Sequence, residues 1–404
     1  MALRGVLAGA VLAIIAAPLI GCDDFKGHPP PAPTANRAPT APATPIQTPS
    51  GAPLTAAPAP TADLQAPPGD EALTQPPQPD FTARGAAPAQ GSDAAAGKAI
   101  DDAVFTSRAT AAQRRRLLIK AQVILDRAHF SPGVVDGRDG TNFHRALAAF
   151  EAARGVGGAA PGGTAPLDAA AWKALIAEDG APVTQDHPIS AEEVKGPFLG
   201  TLPRAMADQA KLPHLGYTAP IQALAAKFHM DQALLRSLNP GVDFTVAGTR
   251  IVAVRPGEAA LPAVARVEVD KSADEVRAYD GGGKLVAAFP ATVGSTERPA
   301  PSGELAVRFV VANPTYTYDP SRLTFGKAAG GKLTLQAGPN NPVGSTWIEL
   351  SVETYGIHGA PDPTEIGKTA SHGCVRLTNW DAAALGRAVK KGTPVVFVGA
   401  ARRA

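Results

Sequence analysis

Tyr355-Gly356-Ile357-His358-Gly359, followed by Ser371-His372-Gly373-Cys374-Val375-Arg376-Leu377, is the stretch on which the reading of this chain turns. His358 precedes Cys374 by 16 positions. Short β-rich runs surround it at 264–269, 285–289, 305–311, 346–350 and 394–398, separated by Gly, Pro and Asn turns. Five such runs at this spacing predict a β sandwich or open barrel rather than a helical bundle. One helix is expected over 380–390, before the last strand, with Thr378 or Asn379 as its N-cap.

The residue types carry chemistry of their own. Cys374 is one of only 2 cysteines in 404 residues, so no disulfide framework is available and any folded part relies on an apolar core. A retained thiol with histidines close by in sequence is a nucleophile candidate. His358 is the candidate general base that generates the thiolate. Gly373 on the amino side of the thiol lets a substrate carbonyl approach the backbone, and the amides near Gly373 and Cys374 are candidates for an oxyanion hole. Zinc is the rival reading for His358, His372 and Cys374, but no fourth ligand and no CxxC or HExxH spacing accompanies them. Neither a metal nor an organic cofactor is expected.

The His-Gly pair followed by Ser-His-Gly-Cys-x-Arg resembles the signature of the L,D-transpeptidase catalytic domain of the YkuD type. Asn341-Pro342-x-Gly344 before the Trp347 run, Gly294, and the closing Gly392-Thr393-Pro394-Val395 fit the same pattern. The resemblance covers roughly a third of the chain; Ala300 before Pro301 departs from the family's usual Thr. It implies a mainly-β catalytic domain that remodels peptidoglycan. Cys374 would attack the amide between the third, L-centred residue and the terminal D-Ala of a donor stem peptide. A neighbouring stem amine would then resolve the thioacyl-enzyme into a 3→3 crosslink. Water as acceptor would make it an L,D-carboxypeptidase, and a lipoprotein amine would make a protein–wall linkage. The family further implies that the main-chain carbonyl of Gly359 orients His358, and that carbapenems acylate Cys374. His372 would position the loop or substrate, and Arg376 would pair with a stem-peptide carboxylate. Ser371 joins them as a substrate-side residue, structural rather than nucleophilic.

Outward from this region, the chain opens with Arg4 and an apolar run over 5–20, too short to span a bilayer and interrupted by Pro18. It reads as a secretory signal. Leu19-Ile20-Gly21-Cys22 resembles the lipobox of bacterial lipoproteins, with Cys22 as the lipidated thiol. Asp23 leans toward retention at the inner membrane; a soluble periplasmic protein is the alternative. Between His28 and Gln90 lie 17 of the 40 prolines and one aromatic residue, Phe81. Such a segment buries too little apolar surface to offset its ordering entropy. As an extended tether at about 3.1 Å per residue it would reach on the order of 200 Å.

Two small modules are expected in the middle. Leu117, Leu118, Val123 and Ile124, the turn Ser131-Pro132-Gly133-Val134-Val135-Asp136-Gly137, then Phe143, Ala146, Leu147 and Phe150 at helical spacing, resemble the three-helix peptidoglycan-binding domain. Ile221, Leu224, Ala225 and Phe228, the closure Leu238-Asn239-Pro240-Gly241, and the strand 248–254 resemble the βααβ LysM module, with its first strand poorly recognisable. The expected organisation is a signal peptide at 1–21, a lipid-anchored disordered linker at 22–105, a helical domain at 110–180, a linker at 181–215, a LysM-like module at 216–256 and the catalytic domain at 262–399. The expected partners are peptidoglycan stem peptides and glycan strands, with the membrane met through the N-terminal lipid. A net charge of +2 argues against a nucleic-acid partner. A non-catalytic wall-binding lipoprotein is the competing reading.

Overall fold

The computed structural model describes residues 94–294, 300–318, 331–352, 355–369 and 373–400. The expected signal peptide, Cys22 and most of the tether lie outside the described residues, as do Ser371 and His372.

The catalytic region is built from β3 (Arg266–Asp270), β4 (Glu275–Tyr279), β5 (Leu285–Pro290), β6 (Thr292–Val293), β7 (Gly303–Ala312), β8 (Tyr316–Tyr318), β9 (Leu333–Leu335), β10 (Thr346–Leu350), β11 (Gly356–His358), β12 (Val375–Arg376), helix α9 (Asn379–Ala388) and β13 (Pro394–Val398). Nine of these strands run in the order β5-β4-β3-β13-β7-β10-β11-β12-β6. β5 and β6 stand at opposite ends of that order, yet only Ala291 separates them in sequence. The sheet must therefore curl back on itself. β7 makes the fold possible: Gly303–Ala306 pairs with β13, and Val307–Ala312 pairs with β10. One strand thus belongs to both halves of a sandwich that is close to a barrel. Val267, Val269, Phe289, Ile348, Leu350, Ile357, Val375, Leu385 and Val395 fill its interior. Helix α9 starts at N-cap Thr378, whose side chain accepts from the Asp381 amide at 3.1 Å, and lays Leu385 into that core.

The preceding region has a single apolar core, not one per expected module. Its elements are α1 (Ala94–Asp101), α2 (Ala111–Arg127), α3 (Thr141–Arg154), α4 (Ala169–Glu178), β1 (Thr184–Pro188), α5 (Ala191–Lys195), α6 (Met206–Gln209), α7 (Pro220–Lys227), α8 (Gln232–Leu238) and β2 (Arg250–Val254). Four of these, α1, β1, α5 and α6, fall in stretches expected to be linker. Helix α1 lies inside 22–105: Ile100 is buried, and the Asp101 carboxylate accepts from the Val183 and Thr184 amides. Strand β1 lies inside 181–215 and pairs antiparallel with β2, Thr184 opposite Val254. The strand that closes α7 and α8 into a βααβ unit therefore comes from before residue 216. A polar run, Thr-Gln-Asp-His-Pro, makes a strand here because β2 supplies the apolar wall and the ladder partners. Asn239, buried at the end of α8, accepts from and donates to the Val252 backbone and so ties the unit together.

This region also covers an edge of the sandwich. The Ser131 amide donates to the Ala288 carbonyl of β5 at 2.8 Å, and the Ala288 amide donates to the His129 carbonyl at 3.1 Å. An otherwise open strand edge is thereby closed. Asn142 of α3 donates to the Ile366 carbonyl at 2.9 Å, touching the segment that runs from β11 toward Cys374. Among the described residues no helix is long and apolar enough to cross a membrane.

Candidate active site

Strand register lays out the site. In the antiparallel pair β10–β11, Trp347 stands opposite His358, Ile348 opposite Ile357 and Glu349 opposite Gly356. In the parallel pair β11–β12, Ile357 stands beside Val375 and His358 beside Arg376. Side chains alternate along a strand. Ile348, Ile357 and Val375 are fully buried and point into the sandwich. Trp347, Glu349, His358, Cys374 and Arg376 consequently share the opposite face.

His358 is 4% exposed. Its Nδ1 lies 2.7 Å from the Gly359 carbonyl oxygen, the contact that the family resemblance implies. A carbonyl only accepts, so Nδ1 carries the hydrogen and Nε2 presents its lone pair. The Gly359 backbone is held in turn: its amide donates to the Thr346 carbonyl at 3.0 Å. A Cβ at Gly359 would come within 2.1 Å of Asn379 Oδ1, which already accepts from the Ser345 amide at 2.9 Å. Only glycine fits there. Burial pushes His358 down to about 4, the Gly359 contact opposes that shift, and the Arg376 charge adds to it. At neutral pH the ring is a neutral base.

Cys374 carries a thiol rather than a disulfide. Burial pushes the thiol up, with the Glu349 charge acting in the same direction; the Gly356 backbone N–H and the Arg376 charge pull it down. The resting groups are therefore a thiol and a neutral imidazole. Gly373, just before the thiol, has φ +122°, a conformation L side chains rarely adopt. Its carbonyl accepts from the Tyr355 hydroxyl at 2.6 Å. Tyr355 packs edge-on against Phe397, and burial together with Cys374 raises its pKa, so the phenol stays a donor. Tyr316 of the β8–β9 hairpin also faces Cys374 and is raised by burial and by that thiol.

Of the residues expected from sequence, His358, Gly359, Gly373, Cys374 and Arg376 converge on this face. Four neighbours had no role in that expectation: Trp347, Glu349, Tyr355 and Tyr316. The first two were legible in principle, since positions 347 and 349 of one strand must share a face. Tyr316 was not, because its approach depends on where a separate hairpin sits. Among the described residues no cluster of three or more His, Cys, Asp or Glu side chains could hold a metal ion.

His358 on β11 and Cys374, directly before β12, thus stand on one face of a curled β sandwich. The comparison with known proteins gives the family. The model of the YkuD family, the L,D-transpeptidase catalytic domain, matches residues 265–397. The YkuD protein of Bacillus licheniformis is 29% identical over 176 residues, 43% of this chain and 91% of its own length. YbiS of Escherichia coli K12 is 32% identical over 189 residues, 45% of this chain but 61% of its own length. YqjB of Bacillus subtilis is 30% identical over 147 residues, 35% of this chain and 75% of its own. All three carry L,D-transpeptidase in their names. The chain belongs to the YkuD L,D-transpeptidase family.

Proposed function

We propose that this protein is a peptidoglycan L,D-transpeptidase that forms 3→3 crosslinks through a Cys374 thioacyl-enzyme. The observation that carries the reading is the His358 ring: buried, neutral, with Nδ1 spent on the Gly359 carbonyl and Nε2 left to accept a proton. Nε2 takes the Cys374 proton as the sulfur attacks the carbonyl of the L-centred third residue. The tetrahedral oxyanion is met by the Gly373–Cys374 backbone amides. The C–N bond to D-Ala breaks, and the imidazolium returns its proton to the departing amine. An acceptor amine then gives a proton to Nε2, attacks the thioester carbonyl and releases the thiol.

Arg376, a cation on the same face, suits a stem-peptide carboxylate. Ser371 and His372 would line the substrate side. The Tyr355 anchor on Gly373 and the tyrosine of the β8–β9 hairpin would shape the approach to the thiol. We further propose that Cys22 is lipidated, that the exported chain is anchored to a membrane (with the inner membrane favoured by Asp23), and that the proline-rich segment is a tether. The regions 110–180 and 216–256, the latter paired with β1, would hold glycan strands.

The test is muropeptide analysis after incubation with tetrapeptide-rich sacculi. The expected products are 3→3 dimers with release of D-Ala, absent with Cys374→Ala. Tripeptides without dimers would make water the acceptor. Unchanged muropeptides with the wild-type chain would sink the enzyme reading and leave a wall-binding protein. Binding of the whole Cys374→Ala chain to sacculi then checks the glycan-holding role.

A further inference from the structure

Trp347 and Glu349 stand beside the reactive pair, and the chemistry above gives neither a task. The Trp347 and His358 rings are stacked, centroids 5.3 Å apart and planes 25° from parallel. The indole Nε1–H donates to Glu349 Oε2 at 2.6 Å, and Glu349 is 7% exposed. Gly356 leaves the room the indole needs: a Cβ there would come within 2.7 Å of Trp347 Cζ2. Three constraints thus converge on one aromatic ring: a carboxylate at its edge, bare backbone beneath it and the imidazole against its face.

We infer that Trp347, locked by Glu349, is a positioning residue that holds the His358 ring and stabilises its protonated form while the Cys374 proton is in transit. The inference rests on the thiol–imidazole reading of the site. The step is balanced within the pair. The S–H bond of Cys374 breaks, the proton moves to Nε2, and thiolate and imidazolium result.

Among the described residues the titratable and charged groups facing this pair are Arg376 after Cys374, Glu349 on β10, and Tyr355 and Tyr316 facing the thiol. The Arg376 charge works against the imidazolium. The π face of an indole attracts a cation lying over it, most strongly where water is excluded. Donation to a buried carboxylate further polarises the ring toward negative. Trp347 therefore supplies what burial and Arg376 take away.

The test is the rate of iodoacetamide alkylation of Cys374 in the full chain, followed by mass spectrometry of the Cys374 peptide. It is run at about pH 7, where His358 removes the proton, and at about pH 10.5, where hydroxide does. Trp347→Leu should slow alkylation about tenfold at pH 7 and by less than about twofold at pH 10.5. Trp347→Phe, which keeps a ring, should stay within about threefold at pH 7, with Glu349→Gln between the two. His358→Ala is the reference and should lose the neutral-pH rate. If His358→Ala is slow and Trp347→Leu matches wild type at pH 7, the inference alone fails. Equal slowing of Trp347→Leu at both pH values would show a structural role and also overturn it. If His358→Ala is as fast as wild type, the base assignment fails and takes this inference with it.

Discussion

The two halves of the sandwich both bury ionisable groups, and they treat them in opposite ways. On β3 and β4, the Arg277 guanidinium meets Glu268 at 2.6 Å, Asp270 at 2.8 Å and Glu275 at 2.9 Å. Three carboxylates share one guanidinium, and burial pushes Glu275, the deepest of them, up to about 7. On β11 and beside β12, the imidazole and the thiol both feel the Arg376 charge, and burial drives each toward its neutral form. Mutual pairing makes the first cluster structural. In the second, neutrality leaves the imidazole Nε2 a lone pair that can accept a proton. The two clusters stand on one continuous sheet, bridged by β13, β7 and β10.

The comparison can be broken from either side. The largest effect belongs to the reactive half. Cys374→Ala should abolish D-Ala release, and His358→Gln should reduce it by about 10²–10⁴-fold, with circular dichroism unchanged for both. In the structural half, Arg277→Met strands buried carboxylates and should cost about 3–5 kcal/mol in urea unfolding. Its activity per folded molecule should stay near wild type. Arg277→Met that unfolds at the wild-type midpoint would make the paired cluster incidental.

Acid stability separates the two halves by sign. The folded-state pKa of His358 is about 4 against an ordinary value of 6.5. Between those values the unfolded chain binds the extra proton, so this residue makes stability fall as pH drops from 6.5 to about 4, by roughly 3 kcal/mol. Glu275 acts oppositely: raised from 4.5 to about 7, it makes stability fall as pH rises through that window. Urea titrations should therefore show His358→Gln gaining on wild type as pH falls below 6.5. Glu275→Gln should gain as pH rises above 4.5. Either difference with the reverse slope would contradict the burial argument. The smallest effect expected is at the backbone before the nucleophile. Tyr355→Phe loses the 2.6 Å bond to the Gly373 carbonyl. It should lower kcat/KM for D-Ala release by roughly tenfold or less, the worth of about 1 kcal/mol.

Much of this architecture was legible because it follows from local pattern. The runs at 346–350 and 394–398 coincide with β10 and β13, and α9 begins after Thr378, one of its two expected caps. Strand β4 is not legible from pattern because it opens on Glu275 and carries Arg277 at its centre. Charges at those positions read as surface, and only the cross-strand carboxylates make them buried. Strand β1 is not legible for a related reason: its residues are polar, and its partner lies some 60 residues further on. The two small modules expected in the middle share one apolar cluster, which takes in Ile100 of α1 and reaches Leu285 and Ala288 of the sandwich.

By itself, the sequence determined which atoms are candidates for the proposed chemistry. A thiol after glycine, and a histidine before glycine 16 positions earlier, are its candidate nucleophile and base. It also determined the period-2 alternation that puts Trp347, Glu349 and His358 on one face once the register is known. The tertiary structure alone decided the electrostatics. Burial of the imidazole, the approach of Tyr316 to the thiol and the stacking of Trp347 on His358 arise from strands set side by side in the sheet, whereas Arg376 lies two residues beyond Cys374. A pKa is set by desolvation and by charges within a few ångströms, and those neighbours exist only after the sheet has curled closed.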